Sequence, residues 1–351
     1  MNNKIKLIFF GSGDFPIKTL KSLIEKPSTP SLEMEIVGIV TSNDKNFFEQ
    51  ESVRDIAVNN NIPYIIPKDV NDDELYNWLK EKNADIYCVI SYKFLPERIV
   101  CLPNILSFNI HASLLPFLRG SAPIHWAIRN GFKETGLTSF ALNSVIDAGP
   151  ILANYKCKID DNETYYSLHE KLSEKCVFLT YDTIYKISFG CCNVIQQMSQ
   201  NFDNILLKAP KIHKNNCSCA IIQNNLSEVD RTIRSLYPIY GFPAILSIYN
   251  SKTKKIKECP IKIYKTSYSN IKPSNILINS ERTDDGFLQN NVITDGKLYM
   301  MIEFDNGYLN IEEIQKEGKK KMNISEFLCG FLDGRDKNNL LNIVTNKNYI
   351  K

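Results

Sequence analysis

The chain predicts an α/β protein in two parts, a doubly wound and mostly parallel sheet followed by a small OB-like β-barrel. Three observations lead there. Up to residue 195, short apolar strands alternate with helical patterns, the order that sets parallel strands between crossover helices. Beyond residue 210 the pattern changes to short strands divided by polar turns, as in small barrels. Charge divides in the same region: residues 1–200 hold 20 Lys and Arg against 23 Asp and Glu, a balance of −3, whereas residues 201–351 hold 22 against 16, a balance of +6. The expected organisation is a first domain over 1–195, a linker over 196–210, a barrel domain over 211–335 and a polar tail over 336–351.

The opening segment KIKLIFFGSGDFPIKTLKSLIEK reads as strand, glycine turn and helix, with Pro16 a favourable helix start, and EMEIVGIVTS follows as a second strand. Helices are expected at Glu51–Asn59 and Asp72–Lys82, then a buried strand over Ala84–Ile90. Ile105–Ile110 is a further apolar run that reads as a strand ending at His111. A helical pattern from Thr164 to Ile187 closes the domain, and the polar stretch Gln196–Asn204 opens the linker. In the second part, strands are expected at Ala244–Asn250, Pro260–Thr266, Ser274–Asn279, Lys297–Phe304 and Tyr308–Ile314.

The chemistry gathers around the strand that ends at His111. Residues two apart in an extended chain face one side, so Asn109 and His111 project together at its carboxyl end, where ligands sit in open α/β sheets. The Asn109 amide can donate to an oxygen that becomes negative in a tetrahedral intermediate. His111 can move a proton near neutral pH. Asp147, in NSVIDAGP after another apolar strand, can orient the imidazole and help pass a proton between nitrogens. That trio suits acyl transfer at a carbonyl, although an isolated Asn-x-His pair also suits a hydrogen-bonded structural histidine.

The run NIHASLLPFLRGSAPIHWAI with TGLTSFALNSVIDAGPIL strongly resembles the formyltransferase family that uses 10-formyltetrahydrofolate. The resemblance continues through LKAPKIHK, IRSLYPIYGFPAIL and LNIEEIQKEGKKKMNISEFLCGF, covering nearly all of residues 4–333, and is strongest toward the branch that formylates methionyl-tRNA. It implies a formyltransferase-type sheet in which Asn109, His111 and Asp147 are the catalytic set. Ser113, Leu114, Leu115 and Pro116 would form part of the tetrahydrofolate site. The loop of Tyr92, Phe94 and Leu95 would line the pterin pocket, mainly through backbone groups and apolar walls. It further implies 10-formyltetrahydrofolate as cosubstrate without a metal, initiator methionyl-tRNA as partner in translation initiation, and a monomer. The barrel would hold the inside of the tRNA.

Basic residues are the candidates for RNA contact. Lys252, Lys254, Lys255 and Lys257 form the densest run, and Lys319, Lys320 and Lys321 another; such runs serve equally as solvated faces or as phosphate contacts that position RNA without reading bases. Arg119 could meet a carboxylate or phosphate, or a structural partner such as Asp147 or a loop carbonyl. The chain departs from the family where a basic, glycine-containing insertion after the second strand reaches toward the acceptor stem. Here TSNDKNFFEQESVRDIA is short, with Lys45 and Arg54 its cations. A second departure is Val145, where glycine is common, with Asn143 at an acidic position.

Other classes fit less well. The Gly11-Ser12-Gly13 turn raises a nicotinamide dehydrogenase, but Pro16 stands where the third glycine of that fingerprint belongs. A sugar-amine formyltransferase and a 10-formyltetrahydrofolate hydrolase would share the catalytic trio, and a catalytically silent tRNA-binding protein would not need it. Ten cysteines, scattered without a C-x-x-C pair, read as reduced thiols; Cys217 and Cys219 with His213 lack zinc spacing and read as incidental. A hydrophobic fraction of 43% and a charged fraction of 23% are those of an ordinary globular chain, and no apolar run reaches membrane-spanning length. The shortened loop resembles the mitochondrial branch, though no presequence precedes the first strand; a bacterial origin would place the protein in the cytoplasm.

Overall fold

The computed structural model describes residues 4–26, 28–29, 32–43, 46–197, 207–213, 217–218, 221, 225–250, 253–279, 281–282, 288–331 and 339–345. Lys45, Cys219, Lys252 and residues 198–204 of the expected linker lie outside the described residues. The chain divides into two compact units: residues 1–124, 133–160 and 167–210 form the first, and residues 125–132, 161–166 and 211–351 the second.

The chain runs through β1 (Ile5–Gly11), α1 (Ile17–Glu25), β2 (Ser28–Thr29), β3 (Leu32–Val40), α2 (Val53–Asn59), β4 (Tyr64–Ile65), α3 (Asp73–Lys82), β5 (Ile86–Ile90), α4 (Glu97–Val100), β6 (Leu106–His111), α5 (Pro123–Arg129), β7 (Glu134–Ala141), β8 (Ile151–Lys158) and α6 (Tyr165–Ser188). One sheet orders the strands β2-β3-β1-β5-β6-β7-β8, with β4 beside β3. Strands β4, β3, β1, β5 and β6 are parallel, while β2, β7 and β8 join antiparallel. Every residue of β5 is buried, which explains why its run is apolar throughout rather than alternating. Helix α2 begins later than its pattern suggests because Ser52 caps it reciprocally with Asp55.

Sequence order runs outward from β1 to β3 on one side and from β5 to β6 on the other, so the switch point lies between the carboxyl ends of β1 and β5. There the Ser12 amide donates to the Ser91 carbonyl at 3.1 Å, joining the two loops. Gly11 is required at this approach: a Cβ would lie 2.7 Å from the Phe9 ring and 3.1 Å from the Ile90 carbonyl. A pyrophosphate would meet Asp14 at the start of α1, and that carboxylate already accepts the amides of Phe47, Phe48 and Glu49. The turn is thus built to anchor a loop.

The second unit contains α7 (Leu226–Leu236), β9 (Phe242–Asn250), β10 (Lys255–Ser269), β11 (Glu281–Arg282), β12 (Leu288–Asn290), β13 (Val292–Thr294), β14 (Met300–Phe304), β15 (Gly307–Lys316), β16 (Met322–Asn323), α8 (Ile324–Phe331) and β17 (Asn339–Thr345). Its antiparallel sheet runs β13-β14-β15-β10-β9-β17, with β16 on β15. Asn291, buried just before β13, donates to the Ile343 carbonyl at 2.7 Å and accepts its amide at 2.8 Å. One side chain thereby joins the two terminal strands, giving a nearly closed, OB-like barrel.

Four expectations are corrected. Ser274–Asn279 is not a strand; Ile278 makes only an isolated bridge to Thr294. The strand expected from Lys297 starts at Met300, because the Asp295 carboxylate gathers the amides of Lys297, Leu298 and Tyr299 into a turn. The expected polar tail contains β17, whose Leu341 and Ile343 are fully buried beside β9. The described ends of the expected linker belong to the first unit: Leu207 and Ala209 pair with the backbone of residues 118–122, and Gln197 donates to the Asp147 and Gly149 carbonyls.

Candidate active site

Strand β6 sets the site by its register. It pairs His111 with Thr138 and Asn109 with Phe140 on β7, and Asn109 with Val89 on β5, so Asn109 and His111 share one face at the sheet's carboxyl end. The Asn109 Oδ1 is buried and makes no hydrogen bond, an arrangement that a ligand polar group would complete. Which end of the carboxamide carries oxygen is interchangeable in shape, so the orphaned position serves as donor or acceptor.

His111 is 6% exposed, and its two nitrogens have different neighbours. Nε2 lies 2.9 Å from the Leu118 carbonyl. A carbonyl only accepts, so Nε2 carries the hydrogen. Nδ1 faces the Asp147 Oδ2 at 3.7 Å, and the same oxygen accepts the Gly120 amide at 2.9 Å. Proton exchange at this imidazole therefore belongs to Nδ1, on the carboxylate side.

Two backbone features place these partners. Asp147 has φ +51° and Leu118 φ +59°, the left-handed region that residues with a Cβ seldom occupy. Leu118 is held there by its amide, which donates to Leu207 at 2.8 Å. Gly120 has φ +125°, and a Cβ would lie 2.4 Å from the Ala209 carbonyl, so glycine is needed to aim its amide at Asp147.

The loop of Ser113, Leu114, Leu115 and Pro116 is pinned from β7. Thr138 Oγ1 donates to the Ser113 carbonyl at 2.7 Å and accepts the Leu115 amide at 3.1 Å. Ser113 spends its own hydroxyl on the Phe117 carbonyl at 2.6 Å. Its hydroxyl therefore has no hydrogen left to donate to a ligand. Tyr92 packs edge-on to Phe10, and its hydroxyl reaches the Thr41 carbonyl. Leu95 is buried in the core, while Phe94 is half exposed, so of the three it is Phe94 that offers an accessible ring.

Arg119 has a structural partner: its Nε and Nη2 donate to the Gln197 Oε1 at 3.2 and 2.6 Å. Gln197 was not legible as a site residue, since it sits in the polar run that reads as linker and no motif marks it. Arg54, Lys254, Lys255 and Lys257 are exposed, the first on α2, Lys254 in the turn before β10 and the other two at its start. Among the described residues, no group of three or more His, Cys, Asp and Glu could hold a metal, and no helix is long and apolar enough to cross a membrane.

Residues 5–180 match the formyl transferase family and residues 211–332 match the formyl transferase C-terminal domain; the chain belongs to the formyl transferase family. Methionyl-tRNA formyltransferase of Azobacteroides pseudotrichonymphae is 31% identical over 93% of this chain and 96% of its own length. The enzyme of the same name from Flavobacterium johnsoniae is 30% identical over the same shares. Among solved structures, a sugar 3N-formyl transferase, WlaRD, determined with dTDP and 5-N-formyl-tetrahydrofolate, shares the fold with a TM-score of 0.59. It is 19% identical and covers 91% of this chain and 100% of its own.

Proposed function

We propose that this protein transfers the formyl group of 10-formyltetrahydrofolate to the α-amine of methionine on initiator methionyl-tRNA, for translation initiation. The observation that carries this reading is the match at 31% identity to a methionyl-tRNA formyltransferase along 93% of the chain, both domains included. The likeness to a sugar formyltransferase, at 19% identity, speaks for the fold alone. The relatives named here are bacterial, which supports a bacterial-type cytoplasm and leaves the mitochondrial placement without support.

The folate fits as a cosubstrate because the buried Oδ1 position of the Asn109 carboxamide lacks a polar partner at the strand end, and the half-exposed Phe94 stands on the neighbouring loop. Its part is to bring the reactive formyl carbon. Asn109 would donate to the formyl oxygen as negative charge grows there. The amine nitrogen gains a bond to that carbon and loses a proton, while the folate nitrogen leaves and gains one. His111 Nδ1 and Asp147, 3.7 Å apart, form the pair through which that proton passes. The exposed Lys254, Lys255 and Lys257 would meet phosphates, together with Arg54 on the first unit.

The test is formylation of charged initiator methionyl-tRNA with 10-formyltetrahydrofolate, run beside elongator methionyl-tRNA and a dTDP-amino sugar. Transfer to the initiator, lost in His111→Ala, establishes the reading. Transfer to the sugar alone, or release of formate to water, overturns it.

A further inference from the structure

We infer that Gln197, held by Arg119, is a positioning residue for formyl transfer, fixing the backbone around Asp147 so that its carboxylate faces His111. The inference rests on the reading that Asp147 and His111 act at the reacting centre.

The Gln197 carboxamide is used to capacity. Nε2 donates to the Asp147 carbonyl at 3.0 Å and to the Gly149 carbonyl at 2.8 Å. Oε1 accepts both hydrogen bonds from Arg119, at 3.2 and 2.6 Å. Two donors and two acceptor positions are what a primary amide has, and here all four are engaged. Such a group has one stable orientation, set by a guanidinium on one side and two carbonyls on the other.

The backbone it grips needs holding. Asp147 lies at φ +51°, and Gly149 packs so tightly that a Cβ would fall 1.7 Å from the Ala141 carbonyl. A residue with a Cβ keeps a left-handed conformation only where its surroundings impose it. Gln197 bridges the carbonyls on both sides of Ala148 and so restrains the turn that carries the carboxylate. Two residues earlier, Ile195 exchanges hydrogen bonds with Ile151 at 2.8 and 2.9 Å, which delivers Gln197 to this place.

The clamp also closes on the other partner of Asp147. Arg119 precedes Gly120, whose amide donates to Asp147 Oδ2, and the Arg119 carbonyl accepts the Ala209 amide at 2.8 Å. Arg119 thus ties the turn of Asp147 to the loop that supplies its amide donor. Side chain and carboxylate are aligned from both ends by one chain of contacts, Arg119 to Gln197 to the 147–149 turn. Reaction rates depend steeply on such alignment, about 100-fold for a displacement of roughly 1 Å.

The experiment compares Gln197→Met, Gln197→Glu, Arg119→Met, the double variant Arg119→Met/Gln197→Met, and Asp147→Asn. It measures kcat and KM for both substrates, and the thermal midpoint. Gln197→Met, of similar length, is expected to lower kcat by about 10- to 100-fold with KM held within about threefold. Gln197→Glu keeps an acceptor for Arg119 but loses both donors, and is expected to fall in the same range. The double variant is expected to be no slower than the worse single one, because both break one chain of contacts. The loss is expected in kcat, with KM kept for both substrates, at temperatures well below each variant's thermal midpoint; a purely structural glutamine would lower the rate only in step with the midpoint.

Gln197→Met and Gln197→Glu with kcat within twofold of wild type, beside an inactive Asp147→Asn, overturn the inference and leave the site intact. An active Asp147→Asn overturns the reading of the site and this inference with it. A loss of rate that only follows a fall in thermal midpoint, or that lies in KM with kcat unmoved in both Gln197 variants, also overturns it.

Discussion

At His111 the deciding detail is that one nitrogen is already in use. With Nε2 on the Leu118 carbonyl at 2.9 Å, the imidazole can exchange a proton only through Nδ1, toward Asp147. Asn109 stands two residues earlier on the same face, its amide oxygen buried and unpaired. Substituting Asn109→Ala is expected to lower kcat by about 10²- to 10³-fold with little change in thermal midpoint, since it removes a group used only when the substrate oxygen gains charge; steady-state kinetics beside a melting curve check this. Asn109 and His111 were legible in the sequence because strand alternation places them together without further information. Asp147 lies 36 residues beyond His111, joined to it in the sequence by chemical role and by the resemblance, not by spacing. Gln197 carried no signal at all, since its importance comes from four hydrogen bonds to residues distant in the chain.

Among the elements, the loop after β3 shows how a single carboxylate organises a segment. Asp14 accepts the amides of Phe47, Phe48 and Glu49 at 2.8, 3.0 and 2.9 Å. Asp14→Asn leaves one oxygen and sets an NH₂ against those donors. It is expected to destabilise the protein by about 2 kcal/mol and to speed proteolytic cleavage in the 44–50 segment, measured by chemical unfolding and limited proteolysis. Beside this loop, His169 lies buried with its ring edge-on to Phe15 and Phe48. Burial pushes its imidazole below the usual histidine value, against the pull of Asp14 and Glu170. The unfolded chain therefore binds a proton that the folded protein refuses, so stability holds above pH ~6.5 and is lost as pH falls from there toward the depressed folded value. His169→Gln is expected to flatten this acid-side loss, read from thermal midpoints between pH 7 and pH 5. The late start of α2 was legible in principle, because Ser52 and Asp55 have the spacing of a capping box.

Over the whole molecule, the second unit depends on a side chain that stands in for a strand. Asn291 pairs with both backbone groups of Ile343 and joins the two ends of the sheet. Asn291→Leu leaves a buried amide and carbonyl unpaired and is expected to cost about 2 to 3 kcal/mol, with β17 losing hydrogen-exchange protection first. The sequence by itself determined the two-part architecture, because a change of hydrophobic period and a change of charge sign need only local information. It also determined the strand that carries Asn109 and His111, and, through the resemblance, the family. Only the tertiary structure decided that residues 339–345 are a barrel strand, that residues 207–209 pair with the backbone of 118–122, and that Arg119 is held by Gln197. The physical reason is common to all three. Each depends on hydrogen bonds between segments far apart in the chain, the first two made by backbone groups and the third by side chains, and such pairings leave no period in the sequence to read.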